Sequence, residues 1–189
     1  MDMIQETIFL DRDGVINEEP GPILTPEQLL FIPGSLEAIQ RINQQKKLCI
    51  VITNQAAIAR KQLSQEVFEQ ICLKLSRHLE NLGAHIDDLF YCPHYPHWEE
   101  GWSKALCHPC ECRKPGTLLF KQAAQRYNID FKKSIFIGDT TSDFEAAKRL
   151  GMRSIGVRTG HGGQDGKCPC HPDSWAENLQ GAVNLLETQ

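Results

Sequence analysis

Short apolar runs alternate with longer amphipathic stretches along almost the whole chain. The runs are rich in β-branched and aromatic residues, which is typical of buried strands, and they lie at 7–10, 49–53, 89–91, 134–138 and 154–157. Between them, apolar residues recur at three- and four-residue spacing. This spacing predicts helices at 35–42, 64–82, 117–127 and 142–150, and a last helix at about 174–186. The alternation predicts an α/β fold with a doubly wound parallel sheet.

The length supports one domain built on that sheet. A chain of 189 residues is long enough to bury a proper core but close to the usual size of a single domain. We therefore expect one Rossmann-like domain over residues 1–189.

Composition narrows the class of partner and the compartment. The net charge of -4 argues against a nucleic-acid partner, which usually requires a basic face. The apolar runs are too short to cross a membrane, and the first six residues lack the features of a signal peptide. We expect a monomeric cytoplasmic protein, although nothing in the sequence bears directly on the oligomeric state.

In a reducing compartment, the eight cysteines favour thiolate–metal chemistry over disulfides.

Carboxylates follow two of the predicted strands. Asp11 and Asp13 come directly after the first strand, and Asp139 follows the strand at 134–138. Either group alone could be a turn or a helix cap. In doubly wound sheets, however, ligands bind beyond the carboxyl ends of the strands, and carboxylates gathered there need a cation. Oxygen ligands suit Mg²⁺, which would also neutralise and position a phosphoryl group.

Several short motifs resemble those of a known enzyme family. They occur in this order: Phe9-Leu10-Asp11-Arg12-Asp13-Gly14, Val51-Ile52-Thr53-Asn54-Gln55, Arg113-Lys114-Pro115 and Gly138-Asp139. Together they resemble the haloacid-dehalogenase-like phosphatases. Within that family, the chain is most similar to the heptose-bisphosphate phosphatases and their histidinol-phosphatase relatives. The resemblance covers about residues 7–159 and is specific because several motifs agree in order.

The resemblance implies a role for each motif residue. Asp11 would be the nucleophile that forms a phospho-aspartate. Asp13 would protonate the leaving alcohol and later deprotonate water. Asp11, the backbone carbonyl of Asp13, and Asp139 would hold a catalytic Mg²⁺. Thr53 would bind the phosphoryl oxygens, and Lys114 would neutralise the charge on them.

Other residues near these motifs are candidates for weaker roles. Asn54 and Arg113 are assigned to substrate binding, and Arg113 could recognise a second anionic group through its forked donors. Without the resemblance, an exposed arginine beside a loop would explain Arg113 equally well. Arg60 is expected to be a surface residue. Asp143 is expected to orient neighbouring groups or to cap the helix that follows.

Two close pairs of metal-ligand residues flank a long loop, at about 92–112. The pairs are Cys92 with His94 and Cys110 with Cys112, and three thiolates with one imidazole match a structural Zn²⁺ site. Such a site would pin the loop so that the residues after it point at the phosphate. Cys107 and His108 lie close enough in sequence to rival one of these ligands. Unrelated buried thiols are the alternative.

The remaining cysteines have plainer interpretations. Cys49 and Cys72 sit in apolar patterns and are expected to be core residues. Cys168, Cys170 and His171 could bind a second metal with help from the zinc loop, but a plain surface turn is expected.

The resemblance also bears on substrate access. Family members often carry a large cap domain, yet the stretches at 14–52 and 54–113 have no room for one. The site should therefore be open, with specificity supplied by loops. Departures from the heptose-bisphosphate pattern, such as Ala56-Ala57, Lys61 and Gly116, all fall near where a sugar would bind.

The leading hypothesis is a phosphatase for a small phosphorylated metabolite. It would hydrolyse the 7-phosphate of D-glycero-D-manno-heptose 1,7-bisphosphate, a step in carbohydrate metabolism towards lipopolysaccharide. Histidinol phosphate is the nearest alternative, and Glu18 and Glu19 could then bind its amine. A catalytically inactive, zinc-stabilised binding module is the rival from another class, and it is disfavoured because the catalytic set is complete.

Overall fold

The computed structural model describes residues 6–188. Six strands form one sheet: β1 (Thr7–Leu10), β2 (Leu48–Asn54), β3 (Asp88–Cys92), β4 (Ile135–Gly138), β5 (Arg153–Val157) and β6 (Ser174–Ala176). Six α-helices accompany them: α1 (Ser35–Gln44), α2 (Ala56–Ala59), α3 (Gln65–Asn81), α4 (Leu118–Tyr127), α5 (Thr141–Leu150) and α6 (Leu179–Glu187). None of the helices described in this range is long and apolar enough to span a membrane.

The sheet is parallel, and its strand order reverses at β1. The order is β3-β2-β1-β4-β5-β6, and every neighbouring pair runs in the same direction. The chain therefore winds outward from β1 to one edge and then from β4 to the other, which confirms the predicted doubly wound topology. A crevice opens at the reversal point, beyond the ends of β1 and β4, and this is where such folds bind ligands.

Both faces of the sheet are buried, which explains why the strands read as continuous apolar runs. Ile8 and Leu10 face one core, whereas Phe9 faces the other, because successive side chains point to opposite faces. In the second core, Phe9, Phe120 and Phe136 form a chain of edge-on aromatic contacts with centroids 5.2 and 5.1 Å apart. These contacts hold β1 and β4 beside each other and so fix the position of the crevice.

The last predicted helix begins later than its pattern suggested. Residues 174–176 form β6, which pairs with β5, and the helix starts only at Leu179, where the Asn178 side chain accepts a hydrogen bond from the Gly181 backbone at 2.9 Å. Pairing with β5 explains the difference, because the backbone of Trp175 lies opposite Gly156 in the sheet, and its ring packs edge-on against Phe144 at 5.6 Å. The four-residue helix α2 was also not predicted.

Over the described residues 6–188, no large cap is inserted into this core. Between β2 and Lys114, the chain forms only α2, α3, β3 and the cysteine-rich loop. The predicted core without a large cap domain is therefore confirmed. Loops, instead of a cap domain, therefore surround the entrance to the crevice.

Candidate active site

The ends of the central strands bring the predicted catalytic residues together. Asp11 follows β1, and its backbone nitrogen donates to the Ile137 carbonyl of β4 at 3.0 Å. Thr53 lies at the end of β2, and Asp139 follows β4 directly. Because these strands are parallel neighbours, residues far apart in sequence meet at one edge of the sheet.

Three buried carboxylates form a cluster beside Lys114. Asp11, Asp139 and Asp143 each place an oxygen within 4.8 Å of the others. Lys114 Nζ lies 2.8 Å from an oxygen of Asp11 and 2.8 Å from one of Asp143, and it donates to the Ile52 carbonyl at 2.9 Å. Within residues 6–188, Lys114 is the cation that pairs with this cluster, and it contacts Asp11 and Asp143 but not Asp139, so the three acidic groups carry excess negative charge.

Burial, reinforced by this negative charge, raises the pKa of two of these carboxyl groups. Burial raises the pKa of Asp139 to about 9, and the charges of Asp11 and Asp143 act in the same direction. Burial likewise raises the pKa of Asp11 to about 6, against the opposing effect of Lys114. Asp139 Oδ1 is buried and has no hydrogen-bond partner among residues 6–188. A hard divalent cation among these oxygens would relieve the repulsion and use the free oxygen, so the donor set fits Mg²⁺.

Asp13 is held as a carboxylate by a dense set of donors. Arg12 Nη2 lies 2.7 and 2.8 Å from its two oxygens, and Asn17 and Gln55 donate at 2.9 and 2.8 Å. Burial alone would raise the pKa of Asp13, but the Arg12 charge and these hydrogen bonds lower it below its usual value. Neither Arg12 nor Gln55 was singled out from the sequence, because their task depends on where Asp13 points.

Gly14 is required by a close approach of two loops. Its φ of 79° lies in the left-handed region, and a Cβ there would collide with Asp139. The Thr159 hydroxyl donates to the Gly14 carbonyl at 2.6 Å. Any side chain at this position would push the first aspartate motif away from Asp139.

The four predicted zinc ligands form one cluster. The thiol sulfurs of Cys92, Cys110 and Cys112 lie 3.1–3.6 Å apart, and His94 Nδ1 lies 3.1 Å from Cys112 and 3.6 Å from Cys92. These separations are close to the edges of a tetrahedron around a Zn²⁺ ion with Zn–S bonds of about 2.3 Å. The two rivals lie outside the cluster: His108 stacks on the His94 ring, with centroids 4.6 Å apart, and the Cys107 thiol faces the Ala59 carbonyl at 3.8 Å.

The other cysteines take no part in a metal-ligand group among residues 6–188. Cys49 is fully buried and Cys72 packs against the same core, as expected. Cys168 donates its backbone N–H to Thr141 Oγ1 at 2.9 Å, and Cys170 is buried. The segment lies at the surface, with Pro169 and His171 exposed, while Cys170 points inward and the backbone of Cys168 bonds to the start of α5.

Comparison with known proteins decides the family. Residues 111–182 match the HAD-hydrolase-like family model. A D-glycero-alpha-D-manno-heptose-1,7-bisphosphate 7-phosphatase from Photorhabdus laumondii is 38% identical over 81% of this chain and 82% of its own length. A D-glycero-beta-D-manno-heptose-1,7-bisphosphate 7-phosphatase from Pasteurella multocida is 35% identical over 83% and 84%. The chain belongs to the haloacid-dehalogenase-like phosphatases.

A solved structure extends the match to the fold of the whole phosphatase. The D,D-heptose 1,7-bisphosphate phosphatase from B. bronchiseptica, complexed with magnesium and phosphate, is 31% identical and superposes with a TM-score of 0.85. The match covers 97% of this chain and 99% of the B. bronchiseptica chain. The phosphatase is thus similar in extent as well as in topology to an enzyme whose crystal structure holds magnesium and phosphate.

Asn54 and Asp143 support Lys114 in this phosphatase. The Asn54 amide accepts from the Lys114 backbone nitrogen at 3.0 Å and donates to its carbonyl at 3.3 Å. Asp143 pairs with the Lys114 ammonium and also accepts from the Thr140 backbone nitrogen at 2.9 Å, so it caps α5 as well as orienting a neighbour. Both roles expected for Asp143 are therefore present at once, and the observed contacts of Asn54 hold the Lys114 backbone.

A cavity of about 290 Å³ opens above these residues, a size suited to a small metabolite. Asp11, Asp13, Thr53 and Lys114 lie in its wall, together with Glu19 and His161, which are 3.4 Å apart. Arg60 and Arg113 line the same cavity. Arg60, which was expected at the surface, is half-buried, and its guanidinium lies over the Tyr95 ring of the cysteine-rich loop, a contact that sequence spacing does not reveal.

Proposed function

We propose that this phosphatase hydrolyses the 7-phosphate of D-glycero-D-manno-heptose 1,7-bisphosphate through a phospho-aspartate on Asp11. The observation that carries the chemistry is the placement of Asp11 and Asp13 in one cavity, with Lys114 bound to Asp11 at 2.8 Å. The choice of sugar is supported by relatives whose names specify this reaction. Their names differ in the anomer, so the anomer preference is left to experiment.

In the first step, an Asp11 oxygen attacks phosphorus and the bond to the sugar oxygen breaks. Asp13 donates a proton to that leaving oxygen. The negative charge of a bound phosphate raises the pKa of a neighbouring carboxyl, so Asp13 can carry this proton while substrate is present. In the second step, Asp13 takes a proton from water as the water oxygen attacks phosphorus, which releases inorganic phosphate and restores Asp11.

Lys114 and Thr53 would bind the phosphoryl oxygens throughout. Burial alone would lower the pKa of Lys114, but Asp11 and Asp143 raise it above its usual range, so the ammonium stays charged. Thr53 is buried at the cavity wall, and its hydroxyl accepts from Gln55 at 2.9 Å, which leaves its own proton free to donate. Preorganised donors of this kind stabilise charge that develops during the reaction.

We infer that Asp11, Asp139 and the backbone carbonyl of Asp13 hold Mg²⁺. When bound, this ion would neutralise phosphoryl oxygens and align the phosphorus with Asp11. The buried, unpartnered oxygen of Asp139 supports this assignment.

We infer further that Cys92, His94, Cys110 and Cys112 hold a structural Zn²⁺. With all four positions filled by protein, the ion would have no catalytic opening. It would anchor the loop at 92–112, and the residues immediately after it are Arg113 and Lys114.

We also propose that residues 1–189 act as a single domain. The monomeric state and the cytoplasmic location stay predictions.

Histidinol phosphate is the second candidate because Glu19 lines the cavity and offers a carboxylate for an amine. Burial raises the pKa of Glu19 to about 7, with Asp13 and Asp11 acting in the same direction, which weakens it as a partner for a cation at neutral pH. Two guanidinium groups in the same wall, those of Arg60 and Arg113, disfavour a cationic ligand further. The cavity therefore favours a substrate with a second anionic group.

The test is phosphate release with Mg²⁺ across a panel of substrates. The panel holds both anomers of heptose 1,7-bisphosphate, histidinol phosphate and common sugar monophosphates. We expect the highest kcat/KM with one heptose anomer. A preference for histidinol phosphate would reassign the substrate. If no compound in the panel released phosphate, the inactive binding module would be supported instead.

A further inference from the structure

One glutamine amide bridges two walls of the catalytic cavity. Gln55 Nε2 donates to Asp13 Oδ2 at 2.8 Å and to Thr53 Oγ1 at 2.9 Å. A carboxylate only accepts hydrogen bonds, so the Gln55 atom that faces Asp13 is the NH₂ group, and its two hydrogens match the two acceptors. The side chain therefore joins the loop that follows β1 to the end of β2.

The other donors to the Asp13 carboxylate belong to its own loop. Arg12 bonds both oxygens at 2.7–3.0 Å, and Asn17 bonds Oδ1 at 2.9 Å. Both residues lie within four positions of Asp13, so they orient its carboxylate relative to the loop itself. Among residues 6–188, Gln55 is the donor to this carboxylate that comes from another segment. Gln55 therefore fixes Asp13 relative to β2.

Gln55 is itself firmly held. Its residue surface is 5% exposed, its backbone nitrogen donates to the Cys92 carbonyl at 2.8 Å, and its carbonyl accepts from the Ile58 nitrogen at 3.2 Å. The preceding residue, Asn54, pairs with Cys92 in the sheet. Burial and supporting hydrogen bonds of this kind lock the orientation of a side chain in a site. The bridge from Gln55 to Asp13 is thus built on the rigid edge of the sheet.

The bridge bears on the step in which the sugar leaves. Asp13 can protonate the leaving oxygen only from within hydrogen-bond reach of it, and Thr53 would hold the phosphoryl group to which that oxygen is bonded. A link between Thr53 and Asp13 therefore sets the distance from the proton donor to the leaving oxygen.

We propose that Gln55 is a positioning residue for protonation of the leaving group. It holds the Asp13 carboxyl within reach of the leaving oxygen while the Asp11 oxygen bonds to phosphorus and the bond from phosphorus to the sugar oxygen breaks. The proton passes from Asp13 to that oxygen. The proposal rests on the phosphatase function proposed above and deepens it, because it assigns the alignment of one step to a residue outside the aspartate motif.

The experiment varies the leaving group while the phosphoryl chemistry stays the same. The substrates, all with Mg²⁺, are the sugar phosphate with the highest kcat/KM, phenyl phosphate and p-nitrophenyl phosphate. A sugar alkoxide needs the proton in order to leave, whereas p-nitrophenolate is stable without it. The readout is the ratio of kcat/KM for the sugar phosphate to that for p-nitrophenyl phosphate, because kcat/KM covers the reaction only up to departure of the leaving group.

The variants separate the donor from the shape of the side chain. Gln55→Met keeps the length without a donor, Gln55→Glu keeps the outline without the NH₂ group, and Gln55→His places a ring N–H at similar reach. Gln65→Met is the control, because Gln65 is exposed at the start of α3 and its amide donates to Glu69 at 3.1 Å. The melting temperature of each variant shows whether it is folded.

We expect Gln55→Met and Gln55→Glu to lower the ratio by about 10- to 100-fold, since general-acid catalysis contributes about 10²–10⁴-fold and a misplaced acid keeps only part of it. Phenyl phosphate should show an intermediate loss. Gln55→His should recover part of the ratio, and Gln65→Met should leave it unchanged. Loss of the contact with Thr53 alone would raise the inhibition constant of inorganic phosphate and lower kcat/KM equally for all three substrates.

An unchanged ratio in the folded Gln55 variants would overturn the inference, as would an equal fall in kcat/KM on all three substrates. If the wild-type protein releases phosphate from none of these compounds, the proposed function fails and this inference fails with it. If the preferred sugar phosphate is not a heptose but the ratio falls in Gln55→Met, the heptose assignment fails while the role of Gln55 stands.

Discussion

Asp143→Asn isolates the buried ion pair that positions Lys114. One Asp143 oxygen forms an ion pair with the Lys114 ammonium at 2.8 Å, and the other accepts from the backbone nitrogen and hydroxyl of Thr140 at 2.9 and 2.8 Å. Asparagine keeps the shape but replaces one oxygen with an NH₂ group. Whichever way the amide is turned, a donor then faces either the ammonium or the Thr140 nitrogen.

The expected loss in the free energy of unfolding follows from this misplaced amide donor. Asp143 is fully buried, so water cannot satisfy the donor that loses its acceptor. Leaving a buried donor unsatisfied costs about 1–3 kcal/mol. Breaking a buried ion pair completely costs about 3–5 kcal/mol, but Lys114 keeps Asp11 as a partner, so we expect about 2–4 kcal/mol. For a chain of this length, that corresponds to a fall in melting temperature of roughly 4–16 °C.

The assay is thermal unfolding with Mg²⁺ present, together with kcat for the best substrate. We expect kcat to fall by about 10²-fold, as for other losses of preorganised charge stabilisation, because Lys114 is no longer held between two carboxylates. Glu145→Gln is the control on the same helix: its pair with Arg149 is solvent-exposed, so little change is expected. An Asp143→Asn protein with the wild-type melting temperature and kcat would refute the idea that this ion pair supports the site.

Three further outcomes are expected. Asp11→Asn should abolish turnover without loss of folding, measured by phosphate release and circular dichroism; an unchanged rate would exclude the phospho-aspartate. Asp139→Asn should weaken Mg²⁺ binding by about 10-fold or more, because one charge-assisted contact to the ion is lost. Calorimetry measures the affinity, and a variant that binds Mg²⁺ as tightly as the wild type would contradict the assignment of Asp139 as a ligand. Removing Zn²⁺ should raise hydrogen exchange at 92–112 above that of α3, and a metal analysis without zinc in the purified protein would contradict that site.

The sequence by itself determined the fold class and the place of the chemistry. Alternating strand and helix patterns imply a parallel sheet, and such a sheet carries the ends of its strands to one edge. Asp11, Thr53 and Asp139 could therefore be assigned to one site, because each directly follows or ends an apolar run. The sequence also predicted a shared metal site for Cys92, His94, Cys110 and Cys112, because ligand pairs at the two ends of one loop can meet when the loop folds back.

Only the tertiary structure decided the partners of individual side chains. The pairing of Asp143 with Lys114, the rings of Tyr95 and Trp102 around Arg60, and the extended backbone at Trp175 all depend on contacts between distant segments. Local periodicity reports burial and secondary structure, but it does not report which loop folds back over which strand. Arg60 shows the consequence: by composition it is an ordinary surface arginine, and the loop that packs over it makes it part of the cavity wall.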